Sequence, residues 1–190
     1  MELGLQGKNI LITGGSQGIG AAIAHSFLAE GANVFIVSRG SEQLFKTEVH
    51  LQSLFGEERI KVGRCDCTNS SSLFQLKREI EKSFGQLDVV VANVGNGRSV
   101  PAPLPDEEQW NETWNNNFES ALQTARVFLP MLQQSKGCLL FISSIAGMEA
   151  FGAPVDYSTA KAAVAALAKN MARKLGGEVR VNVLAPGNVW

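Results

Sequence analysis

The sequence predicts a doubly wound α/β fold built on a parallel sheet. Three observations predict it. Short apolar, β-branched runs alternate strictly with helix-period stretches along the whole chain. Those runs are mostly apolar from end to end, as strands covered on both faces require. No linker, charge block or internal repeat interrupts the alternation. The 190 residues are therefore read as a single domain, 1–190, with six strands.

Each element has its own signal. Residues 8–13 form a buried strand stopped by Gly14 and Gly15. Ile19, Ala22, Ile23, Phe27 and Leu28 then recur near the helical period, and Gly31 stops that helix. A second strand spans 33–37, and a second helix, capped by Ser41, runs over 41–55 to Gly56. The third strand is 60–65, and the third helix, 69–84, ends at Gly85. Residues 88–92 are a continuous apolar strand. The loop after it carries Pro101, Pro103 and Pro105 in alternation, which makes it extended and stiff. Asp106 caps one long helix reaching about Gln134, with Glu107 and Glu108 favoured by the dipole of its first turn. The fifth strand is 138–142, an alanine-rich helix follows over 156–175, and a sixth strand, 179–184, closes at Pro186 and Gly187.

Composition narrows the function classes. The chain is 45% hydrophobic and 18% charged, enough for a core and too little charge for a disordered tail. Seventeen basic against 18 acidic residues give a net charge of -1 with no basic stripe, so no nucleic-acid partner is expected. No apolar run approaches the ~18 residues of a membrane span. Residues 1–7 lack the basic and apolar regions of a signal peptide. A cytoplasmic protein without a membrane partner is expected. Cys65, Cys67 and Cys138 are an odd count, which argues against a disulfide framework, and Cys65 and Cys67 lack the spacing of a zinc knuckle. His25 and His50 stand singly on helical stretches, so no metal site is expected.

The glycine-rich turn between the first strand and helix reads Thr13-Gly14-Gly15-Ser16-Gln17-Gly18-Ile19-Gly20. Glycines there permit a tight turn, let backbone approach a pyrophosphate, and bring the helix close to the sheet. The free N–H groups and positive dipole end of the helix then receive the phosphates. The spacing runs through Gly14, Gly18 and Gly20 rather than the usual G-x-G-x-x-G, but its strand-to-helix context is what such a motif needs. At the end of the second strand a carboxylate would bind the ribose 2′-hydroxyl, whereas an arginine pairs with a 2′-phosphate. Here Ser38-Arg39 stands without an acid, which favours NADPH over NADH. The alternative is that Arg39 is a solvated loop residue. Asp66, beyond the third strand, either accepts from the adenine amino group or caps the helix near Asn69.

Tyr157 is the only tyrosine, and Lys161 lies one helical turn later on the same face. A nearby ammonium stabilises phenolate and brings a tyrosine towards the working range of an acid or base. Ser144 falls just past the carboxyl end of the fifth strand, the edge at which open α/β sheets bind ligands.

These residues resemble the non-extended short-chain dehydrogenases/reductases over essentially the whole chain. The shared features are Thr13-Gly14-x-x-x-Gly18-x-Gly20, the Asp66 position, Asn93-Val94-Gly95, Asn117, Ser144, Tyr157-x-x-x-Lys161 and Pro186-Gly187. They look most like 3-oxoacyl-carrier-protein reductases and relatives acting on sugars, steroids and small alcohols. Two departures are notable. The family usually reads Asn-Asn-Ala-Gly where this chain has Ala92-Asn93-Val94-Gly95. Members also continue past Pro186-Gly187 through a substrate loop, a helix and a seventh strand. The chain is accordingly expected to be a fragment, with Val181, Val183 and Leu184 facing an uncovered edge.

The resemblance implies NADP as cofactor, with NAD possible, and a small-molecule carbonyl or alcohol as substrate. Tyr157 would exchange the proton of the carbonyl or hydroxyl oxygen. Lys161 would hold the nicotinamide ribose and lower the tyrosine pKa, and Ser144 would orient the substrate oxygen. Asn117 would hold a water leading from Lys161 to solvent; of the run Asn115–Asn117 only one residue is expected to face the site. Cofactor contacts would come from Gly14, Ser16, Gln17, Gly18, Ile19 and Gly20, and from Ser38, Arg39, Asp66 and Cys67. Asn93, Gly95, Tyr157, Lys161, Pro186 and Gly187 would supply the others. Arg98, Met148, Glu149 and Phe151 lie in loops at the carboxyl edge and are candidates for the substrate pocket. A homo-oligomer, dimer or tetramer, is implied, packed through the helices starting near Asp106 and Asp156; Ala162, Ala163, Ala165 and Ala166 serve either that interface or their own sheet. The competing function is a cofactor-binding scaffold or sensor without catalysis. An epimerase or dehydratase of the extended branch is disfavoured by the glycine spacing and the short length.

Overall fold

A computed structural model describes residues 3–188. The signal-peptide reading of residues 1–7 therefore falls partly outside the described residues.

Six strands form one parallel sheet: β1 (Asn9–Thr13), β2 (Asn33–Ser38), β3 (Ile60–Arg64), β4 (Val89–Ala92), β5 (Cys138–Ile142) and β6 (Arg180–Leu184). Their spatial order is β3-β2-β1-β4-β5-β6. The direction of winding reverses between β1 and β4, and the carboxyl ends of those two strands mark the crevice where ligands bind in such sheets. Register brings Leu11 beside Phe35 and Val90, and Val90 beside Leu139.

Alternate residues of the strands supply two separate cores. Leu11, Val90, Leu139 and Phe141 pack with Leu73, Leu76 and Ile80 of helix α3 (Ser70–Phe84). The same core takes Phe128 and Leu132 of α5 (Ser120–Ser135), and Val164 and Ala168 of α6 (Val155–Lys174). On the opposite face Ile10, Ile12, Val34 and Ile36 meet Leu28 of α1 (Gly18–Ala29) and Leu44 and Leu51 of α2 (Ser41–Phe55). Double coverage explains why the central strands are apolar throughout.

Several boundaries differ from the sequence reading for physical reasons. Gly40, not Ser41, is the residue before α2, and no side chain caps that helix. Asn69 does cap α3, its side chain accepting from the Ser72 N–H at 3.1 Å. The helix expected over 106–134 is α4 (Glu107–Trp114), a π-helical segment (Asn115–Glu119) and α5 in succession. Asp106 caps α4 as expected, accepting from the Gln109 N–H at 2.9 Å. The exposed edge is not as anticipated either. Val181 is buried in the core beneath α6 and Val183 packs against it, whereas Leu184 is 52% exposed. Arg180 and Asn182 share the open side with Leu184. Along α6 the alanines divide: Ala165 is buried, Ala163 is half-buried, and Ala162 and Ala166 are exposed. Among the described residues no helix is long and apolar enough to cross a membrane, and no cluster of metal-ligating side chains occurs.

Candidate active site

The turn from β1 into α1 is built on missing side chains. Gly14 and Gly18 have positive φ, +66° and +54°, which glycine adopts without strain. Gly20 is required by close approach: a Cβ there would lie 2.3 Å from the Gly14 carbonyl oxygen and 2.6 Å from Asn93 Nδ2. Asn93 staples this turn to the end of β4. Its Nδ2 donates to the Thr13 and Gly14 carbonyls at 3.1 and 3.0 Å, and its backbone N–H donates to Thr13 Oγ1 at 3.1 Å. The Gly15 N–H donates to the Val37 carbonyl, and Thr47 Oγ1 to the Ser16 carbonyl, so β2 and α2 brace the turn from behind. Gln17, which precedes α1, makes no side-chain cap, and the first turn carries no acid. The amino end of α1 thus presents N–H groups to an anion. This cradle fits a dinucleotide pyrophosphate.

A cleft of about 580 Å³ opens over this turn. Gly14, Ser16, Gln17, Gly18, Ile19 and Gly20 line its centre. Ser38, Arg39, Asp66 and Cys67 line one end. Arg39 is exposed, and Arg64 braces its backbone, Nε donating to the Arg39 carbonyl at 3.2 Å. Ser38 Oγ donates to the Gly40 carbonyl at 2.8 Å. Asp66 does not cap α3. Its Oδ1 accepts from the Thr68 N–H at 3.0 Å and from Thr68 Oγ1 at 2.8 Å.

Asn93, Gly95, Tyr157 and Lys161 line the other end of the cleft. Lys161 is only 3% exposed, its Nζ donates to the Ile142 carbonyl at 3.1 Å, and burial pushes its pKa down to about 8. The same nitrogen lies 5.9 Å from the centre of the Tyr157 ring. A Cβ on Gly95 would stand 2.8 Å from Lys161 Nζ and 2.6 Å from Asn117 Oδ1, so ammonium and carboxamide converge on one stretch of bare backbone.

The π-helical segment explains how the asparagine run is used. A π turn shifts the residues that follow it around the helix axis, and such turns recur at functional sites. Asn116 and Asn117 are both buried, and Asn115 is exposed. Asn117 Oδ1 accepts from the Asn96 N–H, and its Nδ2 donates to the Thr113 carbonyl, each at 3.0 Å. Asn116 lines the cleft wall. One residue of the run thus faces the cleft, as expected, but it is Asn116; Asn117, the residue expected there, is buried and does not line the cleft, although its Oδ1 lies against Gly95.

A family model described as short chain dehydrogenase matches residues 8–190. The chain belongs to the short chain dehydrogenase family. It is 33% identical over 192 residues to an uncharacterized oxidoreductase of Bacillus subtilis, covering 100% of this chain and 72% of that protein. It is 32% identical over 184 residues to the 3-oxoacyl-[acyl-carrier-protein] reductase of Mycobacterium bovis, covering 96% and 69%. Among solved structures, L-sorbose reductase from Gluconobacter frateurii, complexed with NADPH and L-sorbose, superimposes with a TM-score of 0.93 at 29% identity. That match covers 100% of this chain and 73% of the other. The chain is thus shorter than these relatives, and the family is one of oxidoreductases.

Within this short chain dehydrogenase the remaining expected residues sit beside the cleft rather than in its wall. Ser144 precedes a short 3₁₀ turn (Ile145–Gly147), and its Oγ accepts from the Ala146 N–H at 3.2 Å. The Ile145 N–H donates to the Pro186 carbonyl at 3.0 Å, which ties the Ser144 turn to Pro186 and Gly187. Ser144, Pro186 and Gly187 do not line the cleft that Tyr157 and Lys161 line. Two residues that the sequence reading passed over hold the turn against α6. Ser143 Oγ donates to the Lys161 carbonyl at 2.7 Å. A Cβ on Gly147 would stand 2.7 Å from the Lys161 carbonyl carbon and the Ala162 nitrogen.

Asp156, buried at the start of α6, is also a finding of the structure. Burial raises its pKa, but hydrogen bonds from Ser99, Thr113 and the Tyr157 N–H prevail and hold it below the usual carboxylate value. It therefore fixes the loop after β4 against the turn that carries Tyr157. Arg98 borders a neighbouring cavity of about 420 Å³ that shares Arg39, Asn96 and Asn116 with the cleft. Met148, Glu149 and Phe151 are exposed.

Proposed function

We propose that the chain is an NADP(H)-dependent oxidoreductase that interconverts a small carbonyl compound and its secondary alcohol, with Tyr157 as acid and base. The observation that carries this reading is the sharing of one cleft by Tyr157, Lys161 and the open amino end of α1, with Asn117 meeting Lys161 at Gly95. The bound nicotinamide dinucleotide supplies hydride chemistry. The residues of the chain do the rest. Gly14, Gly18 and Gly20 seat the pyrophosphate on α1, and Asn93 keeps that turn rigid. Gly95 leaves room for ligand against the backbone. Ser16, Gln17, Ile19, Asp66, Cys67, Pro186 and Gly187 complete the cofactor contacts.

Tyr157 donates its phenolic proton to the carbonyl oxygen in reduction and takes the hydroxyl proton in oxidation. Lys161, held near its titration range, stabilises the phenolate and exchanges the proton onward. Asn117 holds the water through which that proton reaches solvent. Ser144 orients the substrate oxygen.

Preference for NADP rests on Arg39 at the end of β2, with Arg64 adjoining it and no carboxylate among residues 38–40. Guanidinium groups pair with phosphate through charge-assisted bonds. The sorbose reductase relative, complexed with NADPH, supports the same choice. We place the protein in the cytoplasm, as one cofactor-binding domain over 1–190, associating as a dimer or tetramer. The exposed Ala162 and Ala166 allow close approach of a second copy along α6.

One observation favours the scaffold alternative: Ser144 stands outside the cleft wall. Tyr157→Phe separates the two readings. NADPH consumption is followed over a panel of ketones, sugars and 3-oxoacyl thioesters. The variant loses about 10²-fold or more of the turnover, as loss of a general acid does, while NADPH affinity stays within a few-fold. Equal loss of binding and turnover makes the residue structural. Binding of NADPH by the wild type with no turnover on any carbonyl supports the scaffold.

A further inference from the structure

Cys65 and Cys67 flank Asp66 just beyond β3, and both form part of the cleft wall. Neither thiol has a part in the proton chemistry above. Both are buried, two residues apart in the same stretch of wall, and each shifts the other, Cys65 down and Cys67 up. Ser72 Oγ donates a hydrogen bond to the Cys65 sulfur at 3.4 Å. Ser72 is itself held there, accepting from the Asp66 N–H at 3.2 Å. A hydrogen bond to the charged form favours a thiolate.

We propose that Cys65 and Cys67 are a modification site for peroxide, at which Cys65 is oxidised and Cys67 then closes an intramolecular disulfide in the cleft wall. In the first step the Cys65 thiolate attacks one peroxide oxygen and the O–O bond breaks. Hydroxide leaves, takes up the proton the thiol gave up, and departs as water, and the sulfur becomes a sulfenic acid. In the second step the Cys67 sulfur attacks the Cys65 sulfur. The S–S bond forms, the S–OH bond breaks, and the Cys67 proton leaves with the hydroxyl as a second water. One peroxide is reduced to two waters, and two thiols are oxidised to one disulfide.

The two sulfurs have unequal roles. Hydrogen bonding with Cys67, aided by the bond from Ser72 and opposed by burial and by the Asp66 and Glu79 carboxylates, lowers the Cys65 pKa; the interaction with Cys65, together with burial, raises that of Cys67. The first is the attacking thiol, and the second is the resolving thiol at hand before further oxidation. The Cys65 N–H donates to the Ser38 carbonyl at 3.0 Å, just past the last residue of β3, so the ring closes at the end of the ladder rather than within it. A bridge across so short a loop is strained, and strained bridges are readily reduced by thiols. Cys138, buried like the other two, is the internal control: it lies in β5, outside the cleft wall.

Closing the bridge draws Cys67 from its hydrogen bond with Thr124 of α5 and moves Asp66 in the wall. NADPH affinity therefore falls about tenfold or more, within the usual span of coupled sites. This consequence rests on the cofactor reading; the disulfide itself does not.

The test treats reduced protein with hydrogen peroxide, alkylates it in denaturant and examines the tryptic peptide 65–77, which carries both thiols between Arg64 and Lys77. The expected result is one disulfide per chain within that peptide, reversed by dithiothreitol, with Cys138 fully alkylated. In Cys67→Ser the sulfenic acid on Cys65 persists and is trapped by dimedone. Both thiols remaining alkylatable at a peroxide dose that oxidises the unfolded chain overturns the proposal, as does a bridge to Cys138 or between chains. Dimedone trapping on Cys67 in Cys65→Ser, with none on Cys65 in Cys67→Ser, overturns the assignment of roles. NADP⁺ slows the oxidation; unslowed oxidation in a sample shown to bind NADP⁺ overturns the placing of the dithiol under the cofactor. A sample that binds no NADP⁺ defeats the cofactor reading instead, and disulfide formation is then scored on its own.

Discussion

Burying Lys161 costs the fold stability, and the cost has a measurable pH signature. The side chain is buried with one carbonyl as its hydrogen-bond partner, and its pKa falls from an ordinary 10.5 to about 8. Between these two values the unfolded chain keeps the proton and the folded chain releases it. Unfolding then takes up protons, so stability rises with pH across this window. At about 1.36 kcal/mol per pH unit the gap is worth about 3 kcal/mol. Below about pH 8 both states hold the proton, and the folded protein carries the full penalty of a buried ammonium. Lys161→Met removes the charge at similar volume and also loses the bond to the Ile142 carbonyl, worth about 1–2 kcal/mol. The variant, free of cofactor, is thus expected to be about 1–2 kcal/mol more stable than the wild type at pH 7, and the wild type overtakes it by pH 10.5. Urea unfolding of both proteins at half-unit steps from pH 7 to 10.5 measures the difference, in which other titrating groups cancel. A flat difference across that range, or a variant less stable at pH 7, refutes the reasoning.

Two further outcomes test the cradle and the cofactor preference. In Gly20→Ala the new methyl meets the Gly14 carbonyl and the Asn93 amide; overpacking of about 1–3 kcal/mol exceeds the gain of about 1 kcal/mol from helix propensity. Net destabilisation in urea with loss of NADPH fluorescence enhancement is expected, and undiminished binding counts against the close-approach argument. Arg39→Asp replaces a phosphate partner with a repelling carboxylate, so the ratio of NADPH to NADH affinity falls about tenfold or more. An unchanged ratio makes Arg39 a solvated loop residue.

The parts of the fold that were legible in the sequence are those where one residue type answers one constraint. The central strands read as apolar runs because both faces are covered, and Asn69, Gly85 and Asp106 mark helix ends through their own side chains or conformational freedom. At β6 the signal was present but misread. Arg180-Val181-Asn182-Val183-Leu184 begins with the alternation of a strand covered on one face, which assigns Val181 and Val183 to the core and Asn182 to the open side. The glycine turn and the Tyr157–Lys161 pair were legible because their spacing is local.

What was hidden depends on contacts distant in sequence. Nothing local says that a Cβ on Gly95 would strike Asn117 and Lys161, or that Gly147 lies against α6. The π turn was illegible because Asn115, Asn116 and Asn117 present one chemistry at three positions, and only the geometry of the helix distinguishes them. Ser143 looked like the neighbour of a more interesting serine, although its hydroxyl is the one bonded to the Lys161 backbone.

A crystal structure with NADP⁺ bound tests the account most directly. It should place the pyrophosphate on the first turn of α1, the 2′-phosphate beside Arg39, and the nicotinamide ribose within hydrogen-bond reach of Tyr157 and Lys161. A dinucleotide bound with its nicotinamide away from Tyr157, or density only outside this cleft, would contradict it.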